Sequence, residues 1–335
     1  MHLQLHDLCL ELQSPDEPIR RQWRQLFEGW LAPAGKPAGP PDIILRLTGA
    51  PQLPPLPEAP PYFSDAGALP RGPRILSVYA AAEGQALLHY QDGALVTAPL
   101  APAGAGSVPV VEGVITPRAM RYGRFEDITF TSLAPLLRRR GYYLAHAFAA
   151  AREEQCVLIV GPSQSGKTTT GLSLLLAGWE LLANDVVLLH ARPDGVYALA
   201  TPGDIGIRPG SFDLLPGLRA WVAASAPGAG QGGEAINIAG QRLVNGRWAA
   251  PHRVSALFAP QISGQAHSWI RPLPRAVALA RLMEESIDRW DQPTLRDHVN
   301  VLEAICRQAR TFTLHLGQDV AQIALRLSSQ LAQAP

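Results

Sequence analysis

One stretch narrows the fold more than any other: "CVLIVGPSQSGKTTTGLSLLLAGWELLAND", Cys156 to Asp185. An unbroken apolar run such as CVLIV reads as a strand buried on both faces. It passes directly into Gly161-Pro-Ser-Gln-Ser-Gly166-Lys167-Thr168, and then into an amphipathic helix with Leu172 and Leu174 to Leu176 that stops at Gly178. Gly161 to Thr168 fits the phosphate-loop pattern G-x-x-x-x-G-K-[ST], in the strand-before, helix-after context that gives the pattern its meaning. The glycines let the backbone curl so that successive N–H groups point at a phosphate. Lys167 brings a positive charge to the β/γ oxygens, the Thr168 hydroxyl can join a Mg²⁺ shell, and the helix N-terminus favours an anion. The candidate nucleotide-binding residues are Gly161, Pro162, Ser163, Gln164, Ser165, Gly166, Lys167, Thr168 and Thr169. The implied ligands are Mg²⁺ with ATP or GTP.

Phosphoryl chemistry at such a loop needs a carboxylate for the metal and, where a hydroxyl is phosphorylated, a base. Asp185 is the nearest candidate, at the end of the following strand. Asp204 in "TPGDIGIRPG" is the second. Each also has an ordinary reading as a turn or cap carboxylate. Asn184 precedes Asp185; its amide oxygen can coordinate a metal, but it carries no charge and cannot serve as a base. Neighbours on a strand face opposite ways. Base chemistry survives if position 185 faces the phosphates and is lost if position 184 does.

The rest of the chain reads as two regions. In the first, residues 1–128, "LQLHDLCLEL" (Leu3 to Leu12) alternates as a strand. "SPDEPIRRQWRQLFEGWL" follows as a helix capped by Ser14, with Ile19, Trp23, Leu26, Phe27 and Trp30 on one face. Two Pro-rich loops, Ala32 to Pro41 and Pro51 to Pro61, bracket the strand "DIILRLTG". "RILSVYAA", "QALLHYQDG" and "ALVTAPL" form an antiparallel meander, with Asp92-Gly93 suited to a tight turn. This region is mainly β and carries no catalytic motif. The second, residues 129–335, alternates strands and helices and predicts a layered α/β domain. It holds the helix "SLAPLLRRRG" ending at Gly141, the strand "YYLAHAFAAA" and the helix "PTLRDHVNVLEAICRQAR", with Leu295, Val299, Leu302, Ile305 and Cys306 on one face. After these come the strand "TFTLHLG" and a last helix aligning Val320, Ile323, Leu327 and Leu331.

Composition excludes some function classes. The 29 Lys+Arg and 28 Asp+Glu leave a net charge of +1, which gives no electrostatic case for a nucleic-acid or membrane-surface partner. Arg138-Arg139-Arg140 is the tight basic run and reads as a solvated helix end. Cys9, Cys156 and Cys306 have no paired spacing, which argues for a reducing compartment and against a cysteine metal cluster. The N-terminus does not read as a signal peptide, and no stretch is long and apolar enough to span a bilayer. The expected location is cytoplasmic.

The stretch from Gly161 to Asp185 resembles the bacterial HPr kinase/phosphorylase family, which has a Gly after the loop helix and an Asp-Asp pair on the next strand. Gly178 and Asn184-Asp185 fall at those positions without a gap. The resemblance is closer to the HPr-kinase-like proteins of peptide-modification clusters, including the lasso-peptide precursor kinases, through "LLRRRGYYLAHAFAAA" and "LFAPQISGQAHSWIRPLPRAVALARLM". It covers about Phe130 to Leu331 and not the first region. It implies an HPr-kinase-like domain at 129–335 beside a smaller mainly-β one, and an ATP- and Mg²⁺-dependent kinase acting on a Ser or Thr hydroxyl of a peptide or small protein. Other biosynthetic enzymes of the same cluster would be partners. It also implies roles for Gly161 to Thr168 at the nucleotide, with Lys167 at the phosphates and Thr168 on the metal, for His146 near the transferred phosphate and for Asp185 as metal ligand or base. Apart from the resemblance, Arg208 in "GIRPG" is a candidate cation facing the phosphates, with Asp204 a further phosphate or substrate candidate. Position 184 departs from the family's acid pair, which keeps a second reading open: a nucleotide-binding scaffold that presents a peptide to partner enzymes, with the β-rich first region adding the peptide as a strand. A GTPase would need Asn-Lys-x-Asp, which is absent, and "GQGGE" (Gly230 to Glu234) lacks the lead of a transporter-ATPase signature. An enzyme resembling phosphoenolpyruvate carboxykinase, acting on a small molecule, shares the architecture and stays open.

Overall fold

The computed structural model describes residues 1–32, 39–64, 76–91, 93–100, 107–120, 124–227, 235–286 and 290–333. Contacts divide the chain into two compact units. One is Met1–Gly141 with Asp288–Leu295, the other Tyr142–Ile287 with Arg296–Pro335. The division falls at Gly141, where the sequence pattern suggested 128.

The first unit contains β1 (His2–Leu5), β2 (Leu8–Gln13), α1 (Glu17–Leu26), β3 (Ile43–Gly49), β4 (Phe63–Ser64), β5 (Leu76–Ala80), β6 (Gln85–Tyr90), β7 (Ala94–Pro99), β8 (Val110–Ile115) and α2 (Arg124–Arg138). Its strands form one sheet in the order β1-β2-β3-β8-β7-β6-β5-β4. The meander β5-β6-β7 is antiparallel as its alternation predicts; Asp92 of its turn lies outside the described residues. The run Leu3 to Leu12 is two strands rather than one. His6 adopts a left-handed φ of 58°, and the chain folds back so that Leu5 pairs with Leu8. Ser14 does not cap α1. It accepts the Asp16 N–H at 3.2 Å, while the N-cap Asp16 turns its carboxylate to the Gly49 N–H at 2.7 Å. The described parts of the Pro-rich loops hold no helix or strand.

The basic triplet at the end of α2 is not a solvated helix end. Arg138 and Asp291 are both buried. Arg138 donates to Asp291 Oδ2 at 3.1 Å, Arg139 to both its oxygens at 2.9 and 3.2 Å, and Thr294 to Oδ2 at 2.6 Å. Arg140 donates to the Asp42 carbonyl at 3.0 Å. Burial alone would raise the Asp291 carboxyl, but the hydrogen bonds from Arg139 and Thr294 and the charge of both arginines hold it below the usual carboxylate range. Removing one partner of a buried pair leaves an uncompensated charge. Asp291→Ala is therefore expected to cost the first unit about 3–5 kcal/mol, checked by urea unfolding. A depressed carboxylate stabilises above its unfolded pKa and ceases to do so as the pH falls through the folded one. The deficit of the variant should accordingly shrink in acid.

The second unit contains β9 (Tyr142–Arg152), β10 (Gln155–Val160), α3 (Lys167–Leu176), β11 (Glu180–Ala183), β12 (Val186–Arg192), β13 (Gly195–Leu199), β14 (Asp204–Ile207), α4 (Pro209–Leu214), α5 (Leu218–Ser225), β15 (Ile236–Ala239), α6 (Gly240–Leu243), β16 (His252–Arg253), β17 (Ala256–Ile262), β18 (Trp269–Pro272), α7 (Arg275–Ser286), β19 (Arg310–Leu316) and α9 (Ile323–Ala332). Helix α8 (Gln292–Gln308) starts in the first unit and continues into the second. The main sheet runs β16-β13-β12-β9-β10-β17-β19-β18, and β11 also pairs with β9. β10, β17 and β19 are parallel; β9 is antiparallel to β10. The apolar β10 is buried along nearly its whole length, as a central strand covered on both faces must be. Helix α3 lies close on β9 because residue 171 is glycine. A Cβ there would meet the Phe148 ring at 2.4 Å.

Two expected faces shift. In α8 the buried positions are Thr294, His298, Val301, Leu302, Ile305 and Cys306, whereas Leu295 and Val299 are half-buried. The α9 face is as read, with Val320, Ile323, Leu327 and Leu331 all buried. The segment "GQGGE" lies outside the described residues. The three cysteines are buried and unpaired, and no described helix is long and apolar enough to cross a membrane.

Candidate functional site

The loop Gly161–Gly166 joins the end of β10 to the start of α3. Gln164 and Gly166 adopt left-handed φ of 69° and 103°. Gly166 is the N-cap of α3, and a Cβ there would meet Leu316 Cδ1 at 2.3 Å, so both backbone and space require glycine. The Ser165 N–H donates to the Pro162 carbonyl at 3.1 Å, closing the turn. Lys167 opens the helix. It is buried, not solvent-facing as a loop residue would be, and its Nζ donates to the Gly161 carbonyl. The ammonium thus lies back across the loop it would serve. Ser165 Oγ is buried and makes no hydrogen bond among the described residues, so the loop keeps a polar group for a ligand. With the first-turn N–H groups that every helix leaves unpaired, these residues suit a phosphate. Pro162, Ser163 and Gln164 are exposed, Thr168 and Thr169 half-buried. Thr169 Oγ1 lies 3.0 Å from Ser211 Oγ of α4.

Asn184 and Asp185 are not strand residues. They sit at the bend between β11 and β12, two strands that pair with β9 one after the other. The Val186 N–H donates to the Asn184 carbonyl at 2.8 Å around Asp185, whose φ is 64°. This is a three-residue γ-turn with positive φ, a rare and strained form. Asp tolerates the left-handed region better than most residues, and strain of this kind collects at functional sites. The turn gives the two side chains different exposures, and Asn184 Nδ2 still donates to Asp185 Oδ2 at 3.4 Å. Asn184 is buried and donates to the Asp204 carbonyl at 2.9 Å. The Asp185 carboxylate is 47% exposed. Position 185, not 184, therefore offers its oxygens outward.

His146 of β9 faces Val186 in the strand register, one residue before the Ala147–Val160 pair that leads into the loop. Its Nε2 is 3.6 Å from Asp185 Oδ1 and its Nδ1 is 2.9 Å from Glu285 Oε2. Glu285 in turn lines a cavity of about 390 Å³ together with Gly161, Pro162, Ser165, Pro260, Gln261, Arg281 and Glu284. The structure thus joins the loop, His146 and Asp185 through a glutamate that the sequence reading did not single out. A signal was present: Glu285 falls three residues after Leu282 and seven after Ala278, the buried positions of α7, so a carboxylate sits on the apolar stripe.

Two other expected residues are less closely joined. Asp204, first residue of β14, reaches the site through its main-chain oxygen, which holds Asn184. Arg208 is the exposed N-cap of α4, and its carbonyl accepts the Ser211 N–H at 3.0 Å. Thr168 and Asp185 are the residues that could hold a Mg²⁺. No group of three or more His, Cys, Asp or Glu suited to a metal occurs among the described residues, so a divalent ion here would depend on phosphate oxygens and water, as Mg²⁺ commonly does.

No family model matches the chain, and no curated protein is similar enough to count as a relative. Among solved structures the chain is similar to the Hpr(Ser) kinase/phosphatase from Coxiella burnetii, over 56% of this chain and 95% of that one, with 13% identity and a TM-score of 0.29. A likeness at that TM-score decides nothing about the site, which stands on its own residues.

Behind the loop, Asp319 secures the chain just after β19, whose last residue, Leu316, lies against Gly166. It accepts the Ser268 N–H at 2.7 Å, the Ser268 hydroxyl at 2.6 Å and Arg326 at 2.6 Å. Partial burial opposes ionisation, but these bonds bring the Asp319 carboxyl from 3.8 down to about 2. Its contribution is complete above the unfolded value and disappears as the pH falls through the folded one. The melting temperature of Asp319→Asn should lie below that of the native protein by a constant gap above about pH 5, and the gap should close as the pH drops below about 4. A gap that does not change with pH would assign the loss to shape rather than charge.

Proposed function

We propose that the second unit is an ATP- and Mg²⁺-dependent kinase that phosphorylates a Ser or Thr hydroxyl of a peptide or small protein. The single observation that carries this reading is the Asp185 γ-turn. It turns an exposed carboxylate outward at the end of the sheet where the Gly161–Thr168 loop begins, while Asn184 is buried and donates to the Asp204 carbonyl and to the Asp185 carboxylate itself. The departure from an acid pair then leaves the base in place. Asp185 accepts the proton of the incoming hydroxyl, and that oxygen's lone pair forms the bond to the γ-phosphorus. The bond from phosphorus to the bridging oxygen breaks, and its electron pair leaves with ADP. The loop's N–H groups and Lys167 hold the β/γ oxygens, with Lys167 swinging from the Gly161 carbonyl to the phosphate. Mg²⁺, when bound, would supply charge neutralisation on those oxygens, and Thr168 and Asp185 are the residues that would hold it from the protein side. The peptide class of acceptor is supported by the sequence resemblance alone.

Transfer of label from γ-³²P-ATP to the short peptides encoded beside the gene tests the reading. Lys167→Ala should lower turnover by about 10²–10³-fold. Asp185→Asn should lower it by about 10²–10⁴-fold while nucleotide binding persists. Nucleotide binding by the native protein with no transfer to any of those peptides would sink the kinase and leave a nucleotide-binding scaffold that presents a peptide to other enzymes of its cluster.

A further inference from the structure

The carboxyl ends of β10, β17 and β19 lie along one edge of the main sheet, because the three strands are parallel. In open α/β sheets that edge is where ligands bind, and the phosphate loop stands on it at β10. Counting on from the Ile159–Phe258 pair, Gln261 of β17 comes level with the start of the loop, and it lines the loop's cavity with Gly161 and Pro162. Gln261 pairs with His315 of β19, and His315 with Trp269 of the antiparallel β18. The three residues form one row across neighbouring strands. Leu314 and Ile270, one position along, join the core that packs with α3 and α9, so the row lies on the opposite face. The His315 and Trp269 rings are stacked, with centroids 4.5 Å apart and planes 13° from parallel. Both are half-buried, and Trp269 Nε1 makes no hydrogen bond among the described residues. Adjacent strands are about 4.8 Å apart. The rings thus begin two strands, about 10 Å, from the strand that carries the loop, comparable with the distance from the β-phosphate of a nucleotide to its base.

We propose that His315 and Trp269 form the base subsite of the nucleotide: with the β- and γ-phosphates in the Gly161–Thr168 loop, the nucleobase stacks on this aromatic pair, and Gln261 lies between the two ends beside the ribose. The inference rests on the nucleotide-binding part of the kinase reading and not on phosphoryl transfer. Base–aromatic stacking uses the π-face that every base has. The subsite therefore needs no base-reading motif, and the chain has no Asn-Lys-x-Asp. A Gln261 amide can both donate and accept, which suits hydroxyls passing between the loop and the rings. The ligand is then held at both ends by groups on the same edge of one sheet.

The test uses the full chain with two probes, MgATP and inorganic tripolyphosphate, which has the phosphates without the base. By calorimetry, Trp269→Ala should weaken MgATP binding about 5- to 150-fold and leave tripolyphosphate binding unchanged. His315→Ala should act in the same sense. Trp269→Phe, which keeps a stacking ring, should bind MgATP nearly as the native chain does. MgATP should also quench the tryptophan fluorescence of the native protein, tripolyphosphate should not, and the quench should be missing in Trp269→Phe. Unchanged MgATP affinity in Trp269→Ala, an equal loss for both probes, or a native chain that binds both probes equally would overturn the base subsite. A quench produced by the peptides encoded beside the gene, and not by MgATP, would overturn it as well and give the rings to the acceptor. The expected base-dependent loss in a protein that transfers no phosphoryl group would leave the subsite intact and remove the kinase reading instead. Unfolding curves show whether the variants fold, and the fluorescence of Trp269→Phe decides the matter even where Trp269→Ala does not.

Discussion

Strand β9 pairs along one edge with β10 and along the other with β11 and then β12. The rest of the candidate site depends on that double pairing. Because β9 is antiparallel to β10, its early residues lie where β10 ends, and His146 comes to the mouth of the loop. The change from β11 to β12 has to happen across from the same residues, and Asp185 occupies the bend. The register slips between Leu181 and Ala183 just before it, an irregularity of the kind that re-aims side chains beside functional sites. The two-residue side-chain period makes this placement strict: a slip by one would turn His146 to the other face of the sheet.

The packing around this strand explains the small residues in it. Ala147, Ala149, Ala150 and Ala151 are fully or nearly fully buried, and Gly171 allows α3 to lie against Phe148. The helix whose N-terminus bears the loop is thereby held close to the strand that bears His146. On the other side of the loop, Leu316 fills the space that a side chain at position 166 would take, and Asp319 anchors the chain just after it. Rigid elements on both flanks suit a site in which donors must be held in place before a charged ligand arrives. The exception is the Asp185 turn, where backbone strain is tolerated because the Ala147 N–H holds the Asp185 carbonyl at 3.1 Å and Asn184 is tied to Asp204.

The two units treat buried charge in different ways. In the first, Asp291 is neutralised by two arginines and a threonine, and the arrangement is structural. In the second, the buried Lys167 donates to the Gly161 carbonyl, a neutral group that an anionic phosphate would displace. The difference follows from Coulomb attraction in a shielded site, where an ammunition of neutral dipoles competes poorly with a full opposite charge.

Much of the second unit was legible in the residues. The phosphate loop follows from Gly161, Gly166, Lys167 and Thr168, since local backbone needs and an adjacent helix start are written in consecutive positions. The β5-β6-β7 meander and the α9 face follow from short-range periodicity. What stayed hidden was set by partners distant in the chain. His6 breaks an alternation that reads as one strand. Arg138 looks solvated until Asp291 is found beside it. Asn184 and Asp185 look like strand neighbours until two successive pairings with β9 force a turn between them. Sequence alone determined that a loop of this shape would stand between a buried strand and a helix, because those requirements are local. Only the tertiary structure decided which carboxylate faces outward and that Glu285 holds His146, because both depend on strand register and helix docking, which bring together side chains far apart in the chain.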